Sequence, residues 1–240
     1  MVDSQDERHG RFSALVLPDR RALSDDVAGA IRSAILRGEI RPGQSIPENG
    51  LAQRLRVSRS PIREALAQLE REGLVTSRVG RPTTVRRFSK REIEELYAIR
   101  AALEGLAARW AAESATPEAR AALVDRAARL RAAMGDAAAS PSPETIPADV
   151  AFHRGIAAAC GSDQLHRMME GLSYQVHLVM AGGFATLTPR RAEEMHAEHE
   201  ALLAAIQRRD GDAAERIARQ HVLGAQRRLV HAVSSPEGAG

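Results

Sequence analysis

Apolar positions recur every three to four residues along most of the chain, and each run stops at Gly, Pro, Ser, Thr or Asp residues able to end or cap a helix. The early runs are short. Ser24-Asp25-Asp26 can cap a helix whose apolar face is Val27, Ile31, Ala34 and Ile35, ending near Gly38, and Arg41-Pro42-Gly43 then makes a turn. Asn49 precedes a short helix with Leu51 and Leu55 inward. Arg56-Val57 turns the chain, and Ser58 or Ser60 caps the next helix, which places Ile62, Leu66 and Leu69 inside. Pro61 fits a first helical turn, where its missing N–H costs nothing. After Gly73 the pattern changes. Leu74-Val75-Thr76-Ser77 and Thr83-Thr84-Val85 are β-prone and flank Val79-Gly80-Arg81-Pro82, which reads as a hairpin. Three helices and a hairpin predict a winged helix-turn-helix.

From Ser89 the periodicity is helical throughout. Ser89 and Glu92 form a Ser-x-x-Glu capping box, and Ile93, Leu96, Ile99, Leu103 and Leu106 follow at helical spacing. Further apolar runs cover about 117–134, 147–160, 163–181, 189–208 and 212–232. Thr116-Pro117, Ser140-Pro141-Ser142-Pro143, Gly161-Ser162, Thr188-Pro189 and Asp210-Gly211-Asp212 separate them. The chain is thus expected to be mainly α, with an antiparallel bundle of about six helices behind the winged domain. Residues 1–22 read as a flexible arm, 23–88 as the winged helix-turn-helix, 89–233 as the bundle and 234–240 as a disordered tail.

Composition adds bounds. The 240 residues suit two domains, and with only 3% aromatic residues the cores must be aliphatic. Cys160 is the only cysteine, which excludes an intrachain disulfide and fits a reducing compartment. No apolar stretch approaches the roughly 18 residues of a membrane span and no signal peptide opens the chain, so a cytoplasmic protein without membrane contact is expected. A net charge of +3 is too small to name a partner, but its distribution is uneven. Residues 54–91 carry 11 basic and 3 acidic side chains, an excess able to draw in a phosphate backbone.

Arg59 and Arg63 are four residues apart, so both guanidiniums project from one face of the predicted third helix. Ser58 and Ser60 stand at its N-terminus, where capping and phosphate binding use the same N–H groups. Gly80, at the predicted wing tip, permits positive φ or close approach to a phosphate, and Arg81 follows it. Each has a plain alternative: the arginines as surface ion pairs with Glu64 or Glu70, the serines as caps only.

In the second region Asp149 and His153 share a helix face, which is half of a metal site. His199 and His221 lie on other long helices that a bundle can bring to the same point, although an Asp-x-x-x-His pair arises readily by chance. Three imidazoles and a carboxylate suit Zn²⁺, Ni²⁺ or Mn²⁺. His196 is a rival to His199, His177 reads as a core or pocket-lining residue, and His9, His166 and His231 read as surface. Arg100 falls on an inward face and needs a counter-charge, either Glu104 or the carboxylate of an effector.

Gly38-Glu39-Ile40-Arg41-Pro42-Gly43, Leu51-Ala52, the segment from Val57 to Leu66, and Glu72-Gly73-Leu74-Val75 together resemble the GntR family of bacterial transcriptional regulators, over about residues 23–87. The resemblance implies that the helix from about Ser58 to Arg71 enters the major groove, with Arg59 and Arg63 on the operator and the wing around Gly80 along the minor groove. Asn49-Gly50 departs from the longer or basic side chain that members often carry there. Arg54 can replace that contact.

Glu95-Leu96-Tyr97-Ala98-Ile99-Arg100-Ala101-Ala102-Leu103-Glu104, Asp149-x-x-Phe152-His153, Glu198-His199 and His221 are similar to the FCD effector domain of the FadR-type subfamily, over about residues 91–233. Six helices favour its VanR-like branch. This resemblance implies a divalent ion, Zn²⁺ before Ni²⁺ or Mn²⁺, on Asp149, His153, His199 and His221. It also implies a homodimer on a palindromic double-stranded operator, regulated by a small organic acid and acting as a repressor. Two other readings stay open. One is a metal-dependent hydrolase or isomerase fused to a DNA-binding module, with Glu198 available beside His199; the other is a regulator whose metal is purely structural.

Overall fold

Val27, Ala28, Ile31 and Ile35 form one buried stripe of helix α1 (Arg20–Leu36), as helical spacing predicts. The computed structural model describes residues 20–78, 80–135, 142–183 and 188–234. The arm up to residue 19, the tail beyond Ser234, Val79 and the Ser140-Pro141 break lie outside the described residues. Helix α1 starts four residues before its expected cap: Ser24 is buried inside it rather than standing at its end.

Helix α2 (Glu48–Leu55) begins after Pro47, not Asn49, because the fixed φ of proline (−74° here) already suits a helix entrance. It closes on Arg56, which adopts the left-handed conformation (φ 56°) and directs its N–H to the carbonyls of Ala52 and Gln53. Ala52 takes the buried position, whereas Leu55, expected inward, is exposed. Helix α3 (Arg59–Arg71) buries Ile62, Ala65, Leu66 and Leu69. It ends in a Schellman motif: Gly73 has φ 73°, its N–H bonds Glu70, and the N–H of Leu74 reaches back to Leu69.

Three antiparallel strands complete the N-terminal domain, β1 (Ser45–Ile46), β2 (Val75–Arg78) and β3 (Arg81–Val85), in the order β1-β3-β2. Ile46 pairs with Thr83 and Val75 with Val85, so these four residues turn one sheet face toward the helices. The hairpin is the wing. Strand β1 was not expected, since two residues carry no detectable alternation.

Among the described residues six helices follow: α4 (Lys90–Ser114), α5 (Pro117–Met134), α6 (Thr145–Ala159), α7 (Asp163–Gly183), α8 (Pro189–Gln207) and α9 (Gly211–Ser234). The Ser89–Glu92 capping box forms as expected. Helices α4 and α9 pack most extensively, and small residues permit it: Ala101, Gly105, Ala108 and Ala112 on α4 meet a helix carrying Ala214 and Ala218. A Cβ on Gly105 would stand 2.6 Å from Arg219. This close approach is how an aromatic-poor chain fills its core. On the same helix Ile99 points outward, 53% exposed, while Arg100 turns in. Ile93 and Leu96 are buried and Leu103 and Leu106 pack partly buried against the core, so Ile99 alone departs from the expected stripe.

Helix α7 joins the two regions. Leu178 is buried within the apolar core of the N-terminal domain, and Tyr174 lies beneath the guanidinium of Arg32, 4.9 Å from its ring centre. Arg32 in turn grips Glu72, the C-cap of α3, through two hydrogen bonds of 2.7 and 2.6 Å.

Candidate metal centre and DNA-reading surface

Helix α6 presents Asp149 and His153 one turn apart, α8 presents His199 and α9 presents His221. One potential ligand atom from each lies within 4.8 Å of all the others. All four residues are buried, between 2% and 5% exposed. His153 Nε2 faces His199 Nε2 at 3.3 Å, and Asp149 Oδ1 is 3.3 Å from the latter and 3.9 Å from the former. The rings of His153 and His221 stack at 5.2 Å, and Phe152 packs edge-on against His153 and His199.

What orients these rings was missed at the sequence level. Glu104 Oε2 stands 2.7 Å from His153 Nδ1, and Glu198 Oε2 stands 2.7 Å from His221 Nδ1. A carboxylate at Nδ1 keeps the proton on that nitrogen and leaves the Nε2 lone pair for a metal. Each carboxylate is held by an arginine: Arg100 Nε donates to Glu104 Oε1 at 2.5 Å, and Arg191 donates to both oxygens of Glu198 at 3.2 and 3.1 Å. The sequence carries a signal for both, Glu104 four residues from Arg100 and Glu198 beside His199, but spacing pairs Glu104 only with Arg100 and leaves the contacts to the ring nitrogens to the packing of the bundle.

The electrostatics suit a cation. Burial opposes the charge on Asp149, yet its hydrogen bond to His199 and the nearby His153, His199 and Arg100 hold its pKa far below the usual carboxylate range. Burial would also raise Glu104, but Arg100 and His153 prevail and hold it at about 2. Burial, reinforced by His199, pushes His221 down to about 4, and burial likewise lowers His199. Three imidazoles and one carboxylate form an N₃O⁻ donor set, with Asp149 Oδ1 buried 3.3 Å from His199 Nε2. These donors fit a divalent transition ion. His196 is not part of the centre and contacts Glu200 at 3.0 Å. His177 is buried and bonds the carbonyl of Leu36.

Arg100 is buried and paired with Glu104. Together with Val150, Met169, Leu172 and Ser173 the pair borders a cavity of ≈ 20 Å³, the size of one water.

On α3, Ser58 occupies the N-cap in an extended conformation without making a side-chain cap bond, so the first N–H groups of the helix stay open. Ser60 bonds Glu64 at 2.9 Å. Arg59 and Arg63 are exposed, and Arg63 pairs with Glu48 at 2.9 Å rather than with Glu64 or Glu70. Arg54, in the last turn of α2, is exposed, as is Arg81 at the start of β3. Gly80 has φ 74°, yet an added Cβ would meet nothing within 4 Å, so the backbone conformation rather than space calls for glycine there.

Residues 23–85 match the model of bacterial regulatory proteins of the gntR family, and residues 95–224 match the FCD domain. The HTH-type transcriptional repressor GlaR of Escherichia coli is 30% identical over 80% of this chain and 89% of its own length. The putative L-lactate dehydrogenase operon regulatory protein of E. coli is 32% identical over 87% and 86%. Among solved structures, E. coli McbR/YncC shares the fold with a TM-score of 0.75 at 23% identity, covering 88% of this chain and 99% of its own. No helix among the described residues is long and apolar enough to cross a membrane. With a winged helix-turn-helix in front of an FCD bundle, the chain belongs to the GntR family of bacterial regulatory proteins, as a DNA-binding transcriptional regulator rather than an enzyme.

Proposed function

We propose that this regulator is a metabolite-responsive repressor that binds a palindromic operator as a homodimer and senses a small organic acid through a metal in its bundle. The domain limits are 23–88 for DNA binding and 89–233 for effector binding and dimerisation. The observation that carries the reading is the convergence of Asp149, His153, His199 and His221 in a buried N₃O⁻ set with two imidazoles oriented from behind. Zn²⁺ suits that set best; when bound, it supplies a Lewis-acidic centre that attracts a carboxylate. Arg100 stands next to the site and offers a second anchor, provided the carboxylate draws it away from Glu104.

On the DNA side, Arg59 and Arg63 reach into the major groove from a helix whose open N-terminus, with Ser58 and Ser60, faces phosphate. Gly80 and Arg81 follow the minor groove, and Arg54 adds a backbone contact. An effector releases the operator only if it binds the released arrangement more tightly. Helix α7 is placed to transmit such a preference: Met169 and Leu172 border the cavity beside Arg100, while Tyr174 and Leu178 touch the N-terminal domain.

The test measures operator affinity of the purified protein with Zn²⁺ bound and with Zn²⁺ removed, on titration with small carboxylates. L-Lactate is included because one relative is named for a lactate dehydrogenase operon. A metal-dependent fall in affinity is expected. The near-complete burial of all four ligands favours one second reading, a structural ion; metal that stabilises the fold while every carboxylate leaves operator affinity unchanged would establish it.

A further inference from the structure

We propose that Arg191, Arg227 and Arg228 form a binding site for a small oxyanion, a carboxylate or phosphate, on the α8–α9 side of the bundle. The site lies around Gly224, a buried glycine of α9. A Cβ built there would be 3.1 Å from Arg228 Nη1 and 3.9 Å from Arg227 Nη2, so two guanidiniums converge over a helix turn that lacks a side chain. Neither makes a hydrogen bond or ion pair with a described residue. Arg191, with its side chain only 13% exposed, gives its Nη groups to Glu194 and Glu198, while its Nε is buried without a partner.

Three arginines therefore meet beside two carboxylates that hydrogen-bond Arg191 alone among the three. Burial first, and then Arg191 and Arg227, push the pKa of Arg228 down to about 10, with Glu198 and Glu194 offsetting only part. A half-buried guanidinium facing other cations is costly unless an anion joins it. Guanidinium forks match the two oxygens of a carboxylate or phosphate, and the missing side chain at Gly224 lets the Arg228 guanidinium lie over the helix turn beside that of Arg227.

This site is separate from the Arg100 cavity. Arg100 reaches the metal centre through Glu104 and His153, whereas Arg191 reaches it through Glu198 and His221. An anion that engages Arg191 competes with Glu198 for it, and Glu198 fixes the tautomer of His221. Anion binding then weakens metal retention, a consequence that rests on the metal assignment above; the anion site itself does not.

Inorganic phosphate, and separately acetate, titrated calorimetrically into full-length protein treated with a chelator, provides the test. One anion per chain is expected to bind without metal. Arg227→Ala/Arg228→Ala should weaken it by at least about tenfold, with Arg228→Lys in between, while metal content on reloading stays at the wild-type level. Binding of both anions, or of phosphate alone or acetate alone, supports the site and identifies its preferred class. Absence of binding, binding unchanged in the double variant, or binding that needs the metal and disappears in Asp149→Ala would overturn it. Loss of metal binding with anion binding intact would instead refute only the metal assignment.

Discussion

Glu104 touches His153 at Nδ1, on the side away from the metal centre, and Glu198 does the same to His221. Each carboxylate is backed by an arginine, so an Arg–Glu–His relay occurs twice at the site. Glu104→Gln and Glu198→Gln keep all four ligands but offer the imidazoles a poorer partner. Zn²⁺ affinity, measured by competition with a chromogenic chelator, is expected to fall about 10- to 100-fold in each. The Glu104 variant should show the larger loss, because that side chain is 6% exposed and Glu198 is 33% exposed. Asp149→Ala and His199→Ala should lose stoichiometric metal altogether.

Acid should destabilise the metal-free protein well before its carboxylates titrate. His221 has a native pKa of about 4 against an ordinary 6.5, so between these values the unfolded chain takes up a proton that the native state refuses. Stability is unaffected above pH 6.5 and falls as pH drops toward 4. At pH 5 the loss from this residue is roughly 2 kcal/mol relative to pH 7. Urea unfolding at the two pH values measures it, and added Zn²⁺ should raise stability more at pH 7 than at pH 5, where protons compete for the imidazoles.

Arg63 and Arg59 are expected to read bases, and Arg81 to hold phosphate. Arg63→Ala should cost about 1–3 kcal/mol on the operator with little change on unrelated DNA. Arg81→Ala should weaken both and reduce the slope of log affinity against log salt by about 1. Fluorescence anisotropy at several salt concentrations separates the two. Equal effects of Arg63→Ala on all sequences would remove it from the base-reading set.

Leu178→Ala should destabilise the N-terminal domain although residue 178 lies in the bundle. Removing a buried leucine costs about 2–5 kcal/mol, and here the cavity opens beside α1, α3 and the sheet. Hydrogen exchange should speed up at amides of α1 and α3 before those of α4 and α9.

Periodicity made most of the architecture legible. Ile62, Leu66 and Leu69 lie where spacing puts them, the Ser89–Glu92 box forms, and six helices follow the wing among the described residues. Reading the two-residue β1, or a helix that starts at Pro47 and ends on a left-handed Arg56, needs knowledge of the neighbours that make the pairing and the turn worthwhile. Ile99 and Arg100 are adjacent, and composition alone favours burying the isoleucine. The structure buries the arginine, because the carboxylates of Glu104 and Asp149 wait inside. The four candidate ligands were legible as residue types and converge in space, whereas Glu104 and Glu198, which orient two of them, became visible only once the rings had directions.

The leucine that α7 lends to the N-terminal core bears on how such proteins can be recombined. A DNA-reading domain cut free at the start of α4 would keep its helices and wing but lack one piece of its own interior. The winged domain and the bundle are therefore not interchangeable parts. A transplanted bundle must carry an apolar side chain to the place of Leu178, or the borrowed reader arrives already weakened.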